Sequence, residues 1–250
     1  MSVLYRQVNA SRRVKGKTNN IGKERCSKMN LYNLKINFLG DSITQGVGAS
    51  CQEHIYLNLL SKNVGLAEAR NYGISGTRYA IQKGTKSRPK DGWVDVNSFS
   101  ERFDSMENDA DIVVVFGGTN DYGHGDAQLG SFSDHTPDTF YGACHYLYSG
   151  LIKKYLGKTI VIMTPLHRCN ELSAYGTAKE ERYGTLKEYV NIIREVAEYY
   201  SLPVLDLYAS SGLQPEVEEI KNTYIPDGLH PNDLGHQVIA YKLESFLKNL

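Results

Sequence analysis

The amino-acid sequence predicts an α/β protein: an open, mostly parallel sheet of five strands with helices on both faces. Three observations lead there. Short β-branched runs alternate with longer helical patterns along the 250 residues, the order that builds parallel sheets through crossover helices. The strongest runs are apolar at every position, as a strand covered on both faces requires. Most runs also stop at glycine or at a Thr-Pro pair, where a chain leaves a sheet and turns.

Residues 35–39 (KINFL) are the first expected strand, stopping at Gly40. Within 53–63, Ile55, Leu59 and Leu60 recur at helical spacing. Residues 69–72 form a short strand ending at Gly73, and 111–116 (DIVVVF) form the strongest one, ending in Gly117-Gly118. Residues 159–163 (TIVIM) have the same character and stop at Thr164-Pro165. Residues 202–207 (LPVLDL) make the fifth, with Pro203 near its start, where a missing N–H is tolerated. A helix is expected where Leu186, Tyr189, Val190, Ile193, Val196, Ala197 and Tyr200 follow the i, i+3, i+4, i+7 series. The last helix, 232–250, should bury Leu234, Val238, Ile239, Leu243, Phe246 and Leu247.

Charge divides the chain in two. Residues 1–30 hold eight Lys/Arg and a single acid, Glu24, which leaves 20 basic against 27 acidic groups in the rest. The first thirty residues therefore read as a basic, flexible leader, or as sequence preceding a start at Met29, and 31–250 as one domain. Nucleic-acid binding would rest on that leader alone, so none is expected of the acidic body. No run approaches the roughly 20 apolar residues of a membrane span, and the N-terminus lacks the apolar stretch of a secretory signal. Cys26, Cys51, Cys144 and Cys169 are widely spaced and form no C-x-x-C pair, which speaks against a zinc knuckle or a disulfide scaffold. Free thiols in a reducing cytoplasm are the expectation.

In open α/β sheets, ligands bind beyond the carboxyl ends of the strands. Chemistry is therefore expected at Gly40-Asp41-Ser42, Gly73, Gly117-Gly118-Thr119-Asn120 and Thr164-Pro165. Ser42 follows the first strand directly. A serine hydroxyl needs a base to remove its proton, and imidazole titrates near working pH. His230 and Asp227 lie together in Asp227-Gly228-Leu229-His230-Pro231, a spacing that lets a carboxylate orient the ring. Gly73 would let a backbone N–H approach a ligand with no Cβ in the way, and the Asn120 amide could donate beside it. With the Ser42 N–H these make three converging donors, as an oxyanion hole requires. Taken singly, each segment reads equally well as a turn or a helix cap. Their combination, in order and each beside a strand end or the final helix, carries the case.

The set GDSIT, NYGISG, GGTND and DGLHP resembles the four signature blocks of the SGNH/GDSL hydrolase superfamily, over residues 37–250. The resemblance implies a flavodoxin-like three-layer α/β/α sandwich with a five-stranded parallel sheet. It implies a Ser42, Gly73, Asn120 and His230 quartet, with Asp227 as the acid three residues before the histidine. It further implies a serine esterase working through an acyl-enzyme without metal or cofactor. The G-x-S-x-G elbow of the α/β-hydrolases is absent.

The substrate is expected to be a small-molecule or glycan ester, with a short, acetyl-like acyl group. A lysophospholipase or thioesterase would use the same quartet, and a sugar-binding module is the non-catalytic alternative. The stretch Tyr122-Gly123-His124-Gly125-Asp126 reads as a polar loop over the pocket, with Tyr122, His124 and Asp126 selecting substrate. Asp41 beside the nucleophile, and Trp93 within 88–93 (RPKDGW), are the other expected substrate contacts.

Overall fold

The computed structural model describes residues 28–81 and 98–250. Five strands, β1 (Lys35–Gly40), β2 (Glu68–Gly73), β3 (Ile112–Phe116), β4 (Thr159–Met163) and β5 (Val204–Leu205), form one parallel sheet in the order β2-β1-β3-β4-β5. The register sets Gly40 opposite both Gly73 and Phe116, and Phe116 opposite Met163. The carboxyl ends of four strands therefore reach one common edge. The order reverses beside β1, so a crevice is expected where β1 and β3 end.

The helices among the described residues are α1 (Ser42–Gln45), α2 (Tyr56–Val64), α3 (Phe99–Arg102), α4 (Thr119–His124), α5 (Phe140–Lys154), α6 (Leu186–Tyr199), α7 (Leu207–Ser210), α8 (Glu218–Tyr224) and α9 (Asp233–Lys248). Successive residues of a strand point to opposite faces, and β3 divides its side chains accordingly. Val113 and Val115 enter one core with Leu147, Leu151, Ile193 and Val196 of α5 and α6, while Ile112, Val114 and Phe116 enter the other with Leu57, Leu60, Ile239 and Leu243 of α2 and α9. This is the expected three-layer sandwich.

Local chemistry sets the helix ends. Thr185 and Glu188 form a capping box at the start of α6, satisfying N–H groups that have no helical partner. Asn232 accepts the N–H groups of Leu234 and Gly235 at 3.1 and 3.2 Å, which starts α9 just after His230.

The structure corrects three expectations. The fifth strand is two residues long, not six, because Asp206 turns its carboxylate onto the Ala209 N–H at 3.1 Å and starts α7. Leu234 is 46% exposed, and the inward positions of α9 are Gly235, His236, Ile239, Ala240, Leu243 and Leu247. The polar loop expected over residues 122–126 begins within the helix α4, which ends at His124 and buries Tyr122.

The expected leader falls almost wholly outside the described residues, as does Trp93. Met29 donates its N–H to Lys248 O at 3.1 Å and Leu31 is buried, so the chain is tied to the body by that point. Cys51, Cys144 and Cys169 are unpaired thiols. Among the described residues, no helix is long and apolar enough to cross a membrane.

Candidate active site

At the end of β1 the chain turns directly into α1. Gly40 permits this, since a Cβ there would lie 2.0 Å from Thr44 Oγ1 and 3.0 Å from the Phe116 carbonyl. Asp41 caps the helix, accepting the Ile43 N–H at 3.0 Å. Burial pushes its carboxyl up to about 6, against the pull of that N–H and of His230. Asp41 is 2% exposed. Expected as a substrate contact, it holds the turn that carries Ser42 and also lines the hollow beside that turn.

Ser42 is the first residue of α1, a position whose backbone N–H has no partner within the helix. Its Oγ stands 3.0 Å from His230 Nε2. His230 arrives on the turn before α9, and its Nδ1 is 2.7 Å from Asp227 Oδ2. The other Asp227 oxygen accepts the N–H groups of Leu229 and His230 at 2.8 and 2.6 Å. Burial raises the Asp227 carboxyl, but the hydrogen bonds from the His230 ring and the two N–H groups outweigh it and hold the group at about 2. A carboxylate thus fixed keeps the Nδ1 proton in place and leaves Nε2 free to accept from Ser42.

Gly73, at the end of β2, sits against α1 so closely that a Cβ would be 2.2 Å from Gln45 N. Its N–H does not stand free as the sequence leads one to expect. It donates to Asn71 Oδ1 at 2.8 Å, while Asn71 Nδ2 donates to Thr44 O at 2.8 Å. To serve an oxyanion, that N–H must share or exchange its partner. Asn71 lies inside the NYGISG block, and its tendency to bond its own backbone two residues on was the available signal.

Asn120 is buried in the first turn of α4. Its Nδ2 donates to Thr77 O at 3.1 Å and its Oδ1 meets His124 Nε2 at 3.2 Å. Asp121, next to it, accepts the N–H groups of Tyr79 and Ala80 at 3.0 and 3.1 Å, a structural acceptor rather than a catalyst.

The residues expected to select substrate are placed differently. Tyr122 is fully buried in the core, its hydroxyl donating to Asn170 O, and so offers a substrate no surface. His124 lies behind Asn120, bonded to it and to Arg78. Asp126 is half-buried near Arg78 and Lys179, whose charges it supports. All three were read as loop residues; α4 carries Tyr122 and His124 inward and ends before Asp126.

Arg102 had no sequence signal. It donates to Tyr72 O at 2.6 Å, to Gly40 O at 2.7 Å and to Thr77 Oγ1 at 3.1 Å. One guanidinium thus ties together the ends of β1 and β2, each just before an expected oxyanion donor. Arg168 plays a similar part at α4, donating to Thr119 O and Oγ1 at 3.0 and 3.1 Å.

Beside the nucleophile turn is a hollow lined by Ile43, Phe116, Pro165, Leu166 and Leu229, with Asp41 and His167 at its polar margin. Among the described residues, no group of three or more His, Cys, Asp and Glu side chains could hold a metal ion.

A model of the GDSL-like lipase/acylhydrolase family matches residues 38–238, a span containing every residue of this site. No curated protein matches the chain. One crystal structure is 31% identical, with a TM-score of 0.74 over 88% of this chain and 98% of its own. A protein from Lactobacillus plantarum is 29% identical, with a TM-score of 0.73 over 86% and 97%. An acetyl xylan esterase, at 22% identity and a TM-score of 0.55 over 85% and 98%, shares the fold.

Proposed function

The chain belongs to the GDSL-like lipase/acylhydrolase family and is a hydrolase of ester substrates, and we propose that it works through Ser42, His230 and Asp227 on short acyl groups. The observation that carries the reading is the unbroken chain from Ser42 Oγ to His230 Nε2 at 3.0 Å and from His230 Nδ1 to Asp227 Oδ2 at 2.7 Å.

In the first half-reaction Ser42 Oγ attacks the ester carbonyl while His230 Nε2 takes its proton. Asp227 stabilises the imidazolium that forms. The carbonyl oxygen gains charge and is met by the Ser42 N–H and Asn120 Nδ2, with the Gly73 N–H joining as it leaves Asn71. His230 then protonates the departing alcohol, and the acyl group remains on Ser42. In the second half-reaction His230 activates water, which releases the acid and restores the serine.

The short, acetyl-like acyl group is part of the same reading; the hollow walled by Ile43, Phe116, Pro165, Leu166 and Leu229 flanks the nucleophile turn without Ser42 or His230 in its lining. No cofactor enters these steps. The alcohol is read as hydrophilic, a sugar among the candidates.

Hydrolysis of p-nitrophenyl acetate and p-nitrophenyl octanoate by the wild type and by Ser42→Ala tests this. Acetate should be preferred, and Ser42→Ala should lose roughly 10⁶ in kcat, the scale of a missing triad nucleophile. Undiminished activity in Ser42→Ala would remove that serine from the mechanism, and a preference for octanoate would overturn the short-acyl reading.

A further inference from the structure

We propose that His124, backed by Arg78, is a positioning residue that holds the Asn120 amide with its nitrogen toward the oxyanion and its oxygen away.

The argument begins with a group whose hydrogen-bonding role admits no choice. A guanidinium can only donate. Arg78 Nη2 meets His124 Nδ1, so Nδ1 is the acceptor and the ring proton sits on Nε2. Nε2 stands 3.2 Å from Asn120 Oδ1, and therefore donates to it. The amide oxygen is thereby identified and engaged. Its nitrogen faces the other way, where one N–H reaches Thr77 O at 3.1 Å and the second is left for the developing oxyanion. An asparagine amide can rotate half a turn at almost no change in shape, exchanging N for O. Rotated, Asn120 would present an acceptor to the oxyanion and a donor to the His124 N–H, and both contacts would be repulsive.

Two further features keep the relay in one state. His124 lies four residues after Asn120 on α4, on the same helical face, so the spacing itself brings ring and amide together. Burial, followed by the charge of Arg78, holds the His124 imidazole down at about 3, so the ring stays neutral with a single donor. Arg78 belongs to the segment after β2 that also carries Thr77, the acceptor of Asn120 Nδ2. One short segment thus addresses both ends of the amide, Nδ2 directly and Oδ1 through the histidine.

The inference rests on Asn120 being an oxyanion donor, and the test separates the two. Two variants of nearly equal size, His124→Gln and His124→Glu, differ in whether the side chain can donate to Asn120 Oδ1. His124→Gln can donate to the amide and accept from Arg78, and should keep kcat within a few-fold of wild type. His124→Glu can only accept, and should lower kcat roughly 10- to 10²-fold, toward the 10²–10³ scale of one lost oxyanion donor, with KM within about twofold. Because the residue acts through Asn120, the double variant Asn120→Ala/His124→Glu should be no slower than Asn120→Ala alone.

Equal kcat in the Gln and Glu variants would overturn the proposal. So would losses that multiply in the double variant, since His124 would then act independently of Asn120. Wild-type kcat in Asn120→Ala would instead reject the oxyanion reading on which the inference stands.

Discussion

Asp227 holds His230 twice: one carboxylate oxygen takes the ring Nδ1 at 2.7 Å and the other takes the backbone N–H of the same residue at 2.6 Å. Ring orientation and loop conformation therefore depend on one side chain. Asp227→Asn keeps the size but replaces one acceptor with a donor, and kcat for p-nitrophenyl acetate should fall by about 10⁴. With its carboxyl at about 2, Asp227 stays ionised through the working range. A pH profile of kcat/KM should show no limb that disappears in Asp227→Asn above about pH 3.

Asp41 makes a prediction of opposite sign. Its folded carboxyl at about 6 lies above the unfolded value of about 3.9. Between those values the unfolded chain has released a proton that the folded one retains, so stability falls as pH rises through about 4 to 6. Asn is as good a helix cap as Asp. Asp41→Asn should therefore be more stable than wild type at pH 7, by on the order of 1–3 kcal/mol, and so melt higher there, and lose that advantage below about pH 4. Thermal melts of both proteins at pH 4 and pH 7 check this. An advantage independent of pH would mean that Asp41 is not titrating in that window.

Arg102→Met keeps the length of the side chain and removes its donors. Two carbonyls, Gly40 O and Tyr72 O, would lose their charged partner. The variant should be destabilised by roughly 2–4 kcal/mol, the scale of hydrogen bonds to a charged group together with buried acceptors left unmade. Because Ser42 and Gly73 follow those carbonyls closely, kcat should fall as well. Denaturant unfolding and steady-state kinetics on the same preparation measure both.

Tyr122→Phe removes only the hydroxyl that Asn170 O accepts. A loss of about 1 kcal/mol is expected, with an unchanged ranking of acetyl, butyryl and octanoyl esters. An altered ranking would return Tyr122 to the substrate pocket.

Much of the sheet was legible from local pattern. Four strands were expected within a residue or two of where they lie, because β-branched runs bounded by glycine are a signal carried by neighbouring residues. Ser42, Asp227 and His230 were legible for a related reason: strand ends and helix starts can be read locally, and chemistry gathers there. The same signal misled at Gly117–Asp126 because Gly, Asn and Asp are poor helix formers. Contacts from distant residues hold α4 in place, Arg168 donating to Thr119 O and Asp121 accepting from Tyr79 and Ala80. Arg102 and Arg78 were illegible because their partners are 25 to 62 positions away in the sequence. Nothing near either arginine marks it.

Ser42 and His230 stand 188 residues apart in sequence. They meet because α9 packs on α2, Asp233 accepts from both N–H and Oγ of Ser50, and Gly48 lies against the Pro231 carbonyl. On the proposed mechanism, a polypeptide emerging from the ribosome would carry Ser42 long before His230, and that serine would stay inert until its base is made and folded against it. A product cut short before residue 230 would then leave any ester it meets untouched.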